Sequence, residues 1–388
     1  MIRQALEDHV ASGRIPGIVA AVEREGRLRV EAFGVRAAGS HEPVRRESLF
    51  RIASMTKPIT AAAAMALIED ARLRLDEPVD RLLPELAGRR VLTRIDGELD
   101  DTVPAKRPIT VRDLLTFRMG LGVLLTPPGT LPIQRAMDDL ELGQGPPGRD
   151  VVPPPDEWMR RLGTLPLIHQ PGEGWMYNTG ADVLGVLVAR ASGNSLATFL
   201  YERIFRPLRM ADTSFSVPPA TSHRLVDSYV VNPQNGELEL YDAAGDGQWS
   251  RPPAFPSGAG GLVSTVDDML AFGRMMLAGG TYDGARILSP ESVAAMTSDQ
   301  LSPADKAAAH WVPNYFDRHG WGFGMAVVTR TDDLGRSPGA FGWDGGLGTS
   351  WYCDPARQLI GVLLTQRAWT SPNPPDVCRD FWRAATER

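Results

Sequence analysis

Residues 51–69 read RIASMTKPITAAAAMALIE, and the fold turns on how this stretch is read. A short β-rich run over 49–52 leads into a long Ala-rich helix, expected over about 55–69. Ser54 and Lys57 stand at its start, three residues apart. Residues i and i+3 share a helix face, so the lysine amine can reach the serine hydroxyl. A free serine is a weak nucleophile at neutral pH and needs an adjacent base. A lysine serves if it is neutral. Burial lowers its pKa, and the positive end of the helix dipole acts in the same direction. Pro58 falls in the first turn, where the early amides are unpaired in any case.

The chain has lysines only at 57, 106 and 306, against 20 serines. A bare Ser-x-x-Lys pair is therefore a weak signal, and a capping serine beside a surface lysine is its bland reading. Context shifts the balance. Lys57 lies between Ile52 and an apolar helix, and a buried lysine without a purpose is rare.

Working outward, residues 1–13 form an amphipathic pattern with Ile2, Leu6 and Val10 on one stripe. GIVAAVEREGRLRVEAFG, at 17–34, reads as a hairpin turned at Glu25-Gly26. From 75 to about 264, short helical patterns alternate with Pro/Gly-rich loops. Residues 126–155 look like a surface excursion or lid. Residues 225–242 read as a hairpin turned at Asn235-Gly236. Asp267 and Asp268, after Ser264-Thr265, open another helix. GWGFGMAVVTR, SWYCD and QLIGVLLTQ are strands, and a helix closes the chain near 377–385. With 388 residues, two subdomains are expected. Segments 1–75 and 265–388 form an α/β subdomain, and 76–264 form a mostly helical one.

The net charge of −6, with no basic block, excludes a nucleic-acid groove and a polybasic membrane patch. The apolar run 61–68 is far too short to span a bilayer. The first ten residues, MIRQALEDHV, carry no secretory pattern, so a cytoplasmic location is expected. Cys353 and Cys378 have no metal-ligand spacing and read as free thiols, with a disulfide left open. The six histidines form no metal pair at helical spacing. His169 reads as a structural or supporting residue. No metal or organic cofactor is expected.

Two downstream segments carry candidate partners for Ser54. In PGEGWMYNTGADVLG, the phenol of Tyr177 can relay a proton between serine, lysine and leaving group. In Gly342-Trp343-Asp344-Gly345-Gly346, glycines let a strand approach a substrate closely. The backbone N–H of Gly346 can pair with that of Ser54 as an oxyanion hole. Taken singly, these are a half-buried tyrosine and a hairpin turn. Gly193-Asn194-Ser195-Leu196-Ala197 imitates a nucleophile elbow but lies between two helices, so Ser195 reads as a cap.

Ser54-Met55-Thr56-Lys57, Tyr177-Asn178-Thr179 and Trp343-Asp344-Gly345 occur in an order and spacing that resembles the serine β-lactamase-like superfamily. The likeness is greatest to class C β-lactamases and family VIII carboxylesterases. ITVRDLLTFRMGLG (109–122), PSGAGGLVSTVDDML (256–270) and GWGFGMAVV (320–328) look like further family blocks. The resemblance covers most of the chain and is weakest over 126–155 and 304–319. It implies a transpeptidase-like α/β (α+β) fold: an antiparallel sheet flanked by the terminal helices, plus the helical subdomain. It also implies Ser54 as nucleophile, with Lys57 and Tyr177 together taking its proton. Ser54 and Gly346 supply the oxyanion N–H groups, and Thr179, Trp343, Asp344 and Gly345 meet the substrate.

The chain departs from the family pattern twice. The second motif usually reads Tyr-x-Asn, and here its third position is Thr179. Shifting the frame to use Asn178 would cost Tyr177 its place. The third motif usually opens with a lysine that attracts the β-lactam carboxylate, and here that position is Trp343. A large apolar ring in place of a cation favours neutral, hydrophobic acyl groups. Asp344 beside it would repel an anionic substrate further if its side chain points inward. The resemblance therefore implies a carboxylesterase for short- to medium-chain esters, its partner a small-molecule ester. Alternatives are acyl transfer to an alcohol or amine, weak β-lactam or amide hydrolysis, and a catalytically silent binding protein.

Overall fold

The computed structural model describes residues 2–143 and 151–387. Part of the expected 126–155 excursion, residues 144–150, lies outside the described residues. Helix α1 (Ile2–Ala11) is followed by strands β1 (Gly17–Arg24) and β2 (Arg27–Gly34). Their two-residue turn has Glu25 at φ 51° and Gly26 at φ 75°. Both are left-handed, which matches the twist of the paired strands. The hairpin stands where the sequence places it, with Arg24 opposite Arg27.

A two-residue strand, β3 (Phe50–Arg51), pairs antiparallel with β4 (Val263–Ser264). The C-terminal strands are β5 (His319–Trp321), β6 (Ala326–Val328), β7 (Phe341–Gly345), β8 (Thr349–Asp354) and β9 (Leu359–Thr365). They join the first hairpin in a seven-stranded antiparallel sheet ordered β5-β6-β7-β8-β9-β1-β2. Every strand of this sheet comes from residues 17–34 or 319–365.

The central strands are buried on both faces, which explains why β1 is an unbroken apolar run. Ile18, Ala20 and Val22 pack in one cluster with the two terminal helices, α1 and α5 (Asp376–Thr386). Val19 and Ala21 face the other way, toward α2 (Thr56–Glu69) and α4 (Val266–Leu277). The helices press close to the sheet. A Cβ on Gly361 would lie 2.5 Å from the Trp382 ring, and one on Gly273 would lie 2.8 Å from Ile360. Thr265 caps α4 by accepting from the Asp268 N–H, and Ser195 caps Leu196–Leu200 by accepting from Thr198.

The long helix begins slightly later than the pattern indicates. Ala53–Met55 forms a 3-10 turn, and α2 starts at Thr56. Ala53 sits at φ 43°, a conformation costly for a side-chain-bearing residue. That kink lifts Ser54 off the helix and presents it at the helix mouth. Behind it α2 crosses α3 (Thr179–Ser192), and its alanines are buried throughout.

One ion pair anchors the segment leading to Ser54. The Arg51 side chain is 1% exposed and its Nε donates to Asp242 Oδ2 at 2.7 Å. Its Nη1 also donates to the Val226 carbonyl. Removing one member of a buried pair leaves the other uncompensated. Arg51→Leu is therefore expected to destabilise the fold by about 3–5 kcal/mol, read from the urea midpoint. A midpoint equal to wild type would show that this pair does not hold the segment.

Cys353 and Cys378 are both free and buried, and burial raises both thiols above their ordinary range. Among the described residues, no single helix is long and apolar enough to cross a membrane.

Candidate active site

Ser54 opens onto a cavity of about 890 Å³ whose wall also carries Tyr177, Trp343 and Gly346. Lys57 projects from the first turn of α2, and its Nζ lies 2.8 Å from Ser54 Oγ. The residue is 1% exposed. Nζ also donates to the Ala259 carbonyl at 2.7 Å and rests 4.4 Å from the centre of the Tyr177 ring. Burial pushes the amine down to about 7, against the opposing pull of the Asp182 carboxylate. An amine of that pKa is partly neutral at physiological pH and can accept the serine proton.

Asp182, in the first turns of α3, is the supporting residue the sequence reading missed. It accepts from Ser257 Oγ at 2.6 Å and from the Ala259 N–H at 3.1 Å. Ala259 thus links the two, with its N–H on Asp182 and its carbonyl on Lys57. Burial raises the Asp182 carboxyl, while Ser257 and the Lys57 charge oppose this. One acid in the otherwise apolar run GADVLGVLV was the available signal.

Tyr177 is held by an unusual backbone. Asn178 has φ 79° and ψ −67°, and the Thr179 N–H donates back to the Tyr177 carbonyl at 3.2 Å. This is a strained γ-turn, costing of order 1–3 kcal/mol for a non-glycine residue. Strain of this kind persists where surrounding packing over-determines it, which is common at functional sites. The Val123 N–H holds the same carbonyl at 2.9 Å. The Tyr177 ring packs against Trp311 and Trp343, at 4.8 and 5.6 Å between centres. Burial raises its phenol above the ordinary range, opposed by hydrogen bonds with Ser54 and Trp343. The phenol is therefore protonated at neutral pH and can donate, while Lys57, partly neutral there, is the base available.

Trp343 does more than supply an apolar surface. Its Nε1–H donates to Tyr177 Oη at 2.8 Å. Gly345 explains how β7 reaches the nucleophile, since a Cβ there would lie 2.3 Å from the Ile52 carbonyl. That approach brings the next residue, Gly346, to the cavity beside Ser54. The Trp369 N–H fixes the Gly346 carbonyl at 2.8 Å.

One substrate-facing expectation is placed differently. Thr179 is 2% exposed and is not on the cavity wall, where its neighbour Asn178 stands instead. The γ-turn rotates Thr179 inward. Asp344, next to Trp343 on the strand, lines the cavity as expected. It accepts from Ser350 Oγ at 2.5 Å. His169 lies off the cavity wall and stacks on His310, 5.1 Å between centres. Val123, Leu142, Trp158 and Phe255 form an apolar lobe of the cavity. The geometry thus brings a hydroxyl, a depressed amine and a phenol together at one cavity.

The Beta-lactamase family model matches residues 2–384. Protein Rv1367c of Mycobacterium tuberculosis (strain ATCC 25618 / H37Rv) is 40% identical over 368 residues, covering 92% of this chain and 86% of that protein. Esterase EstB of Burkholderia gladioli is 32% identical over 383 residues, covering 93% and 88%. The solved structure of EstCE1, a hydrolase with promiscuous acyltransferase activity, superposes with a TM-score of 0.78 at 26% identity, covering 99% of this chain and 97% of that one. The relatives support a serine enzyme working through an acyl intermediate, as hydrolase or acyltransferase. A family model spanning nearly the whole chain means that this chain belongs to the Beta-lactamase family.

Proposed function

We propose that the protein is a carboxylesterase that cleaves neutral short- to medium-chain esters through an acyl-Ser54 intermediate. The observation that carries this reading is the hydrogen bond from Trp343 Nε1 to Tyr177 Oη. A neutral indole N–H occupies the position where the family's β-lactam-cleaving members carry an ammonium group. It supports the phenol without attracting a substrate carboxylate. The apolar lobe around Trp158 and Phe255 fits an acyl chain.

In this mechanism neutral Lys57 takes the proton from Ser54 Oγ as it attacks the ester carbonyl. The N–H groups of Ser54 and Gly346 hold the oxyanion, each such donor contributing about 10²–10³ in rate. Tyr177, backed by Trp343, protonates the departing alcohol. Water then attacks the acyl-enzyme, giving up a proton to the same groups, and Ser54 is released. An alcohol in place of water would give acyl transfer. That second reading is favoured by the likeness to EstCE1, a hydrolase with promiscuous acyltransferase activity.

A substrate panel tests the proposal. The kcat/KM for p-nitrophenyl butyrate is expected to exceed that for nitrocefin by about 100-fold or more, the scale set by a missing charged contact. Equal values would overturn the esterase preference. Faster product release on adding an alcohol, with transfer product exceeding free acid, would favour the transferase.

A further inference from the structure

The cavity at Ser54 has a second, polar compartment. Asp344, Tyr352, Tyr315 and Arg336 all line it. Arg336 is 4% exposed, and its Nε donates to Asp332 Oδ2 at 2.6 Å. Its guanidinium lies 3.8 Å from the centre of the Tyr352 ring. Arg336 Nη1 and Tyr315 Oη are buried, yet neither has a hydrogen-bond partner among the described residues. Asp344 accepts from Ser350 through Oδ1 and, through Oδ2, only at 3.4 Å from Tyr352. Unpartnered buried polar groups are rare and call for an explanation.

These groups define the chemistry of what would satisfy them. Arg336 Nη1 offers a donor, Asp344 offers an acceptor, and Tyr315 Oη offers either. Arg336 faces two carboxyls, Asp332 and Asp344. At the mouth Arg318 and Arg379 stand with Asp317 and Asp333. An anion would meet carboxylates and a cation would meet guanidinium groups. A hydroxyl group both donates and accepts without charge, and so fits. The Tyr315 and Trp343 rings, 6.4 Å apart between centres and perpendicular, supply apolar faces for the C–H groups between hydroxyls.

The direction of the reaction places this compartment. Tyr177 must hand its proton to the leaving oxygen, and its Oη is fixed by Trp343. The leaving alcohol therefore departs along Trp343, toward Tyr315. The acyl chain takes the apolar lobe at Trp158 and Phe255. Resting on the esterase reading above, we propose that the compartment formed by Tyr315, Arg336 and Asp344 binds the alcohol part of the ester, and that this alcohol carries further free hydroxyl groups. The substrate class is then partial esters of polyols.

The test compares 1-butanoylglycerol with butyl butanoate, which share one acyl group. Wild-type kcat/KM is expected to be higher for the glyceryl ester. Tyr315→Phe removes a hydroxyl that bonds to nothing among the described residues, so the melting temperature should hold. It is expected to lower the ratio of the two kcat/KM values by about tenfold, the worth of one hydrogen bond of about 1.4 kcal/mol. A wild type that favours the butyl ester, or a ratio unmoved by Tyr315→Phe, would overturn the subsite while leaving the esterase reading intact. A wild type that hydrolyses neither ester would overturn both.

Discussion

Ser54→Ala is expected to lower p-nitrophenyl butyrate hydrolysis by about 10⁴-fold or more, the scale seen when a hydroxyl nucleophile is removed from such a constellation. Among the described residues no other hydroxyl is bonded to Lys57 Nζ, whose contacts are Ser54 Oγ and the Ala259 carbonyl. The fold should survive. Lys57 keeps its bond to Ala259, and Tyr177 keeps its bond to Trp343. The melting temperature should therefore stay near that of wild type while the rate collapses. A fluorophosphonate reagent separates loss of the nucleophile from loss of the site, because it must form a covalent bond to be seen. It should add its mass to the wild type and not to Ser54→Ala. Labelling of the variant at another residue would transfer the nucleophile's role there. An unlabelled wild type would remove the basis for any acyl-enzyme.

The parts of this site legible in the sequence were those set by local geometry. Ser54 and Lys57 lie within one turn, so their spacing put the amine within reach of the hydroxyl, and the bond is 2.8 Å long. The Glu25-Gly26 turn was equally local. Tyr177 and Gly346 entered through the family resemblance, since no local rule joins residues so distant in the chain. Four features were not legible at all. The positive φ of Ala53 is imposed by packing, and nothing in RIASMTK announces it. The bond of Asp344 to Ser350 depends on the register of β7 with β8. Asp182 acts through Ala259, 77 residues away, so its role exists only in the folded chain. Tyr315 lies in the 304–319 segment, where the family likeness is weakest, and its unpartnered hydroxyl is a property of packing.

Lys57→Met should separate catalysis from stability. Burial depresses the amine to about 7 from an ordinary 10.5, so the neutral base is the form that folding favours. Wild-type kcat/KM should therefore rise with pH along a limb centred near 7, as the ammonium loses its proton. Between about 7 and 10.5 the unfolded chain binds this proton and the folded chain does not, so this group makes stability rise with pH across that window. Below the folded pKa both states are protonated, and the cost of burying the ammonium is fully present. Methionine keeps the length and apolar stem without that cost. It loses the bonds with Ser54 Oγ and the Ala259 carbonyl, the contact with the Tyr177 ring and the attraction to Asp182. Lys57→Met is expected to cut kcat by about 10²–10⁴-fold, the range for general-base catalysis, and to erase the limb near 7. Its urea midpoint should depend less on pH above 7 than that of wild type. A variant that kept the limb would assign it to another group. A variant that kept most of its rate would mean that another group deprotonates Ser54, with Tyr177 on the same cavity wall the first candidate.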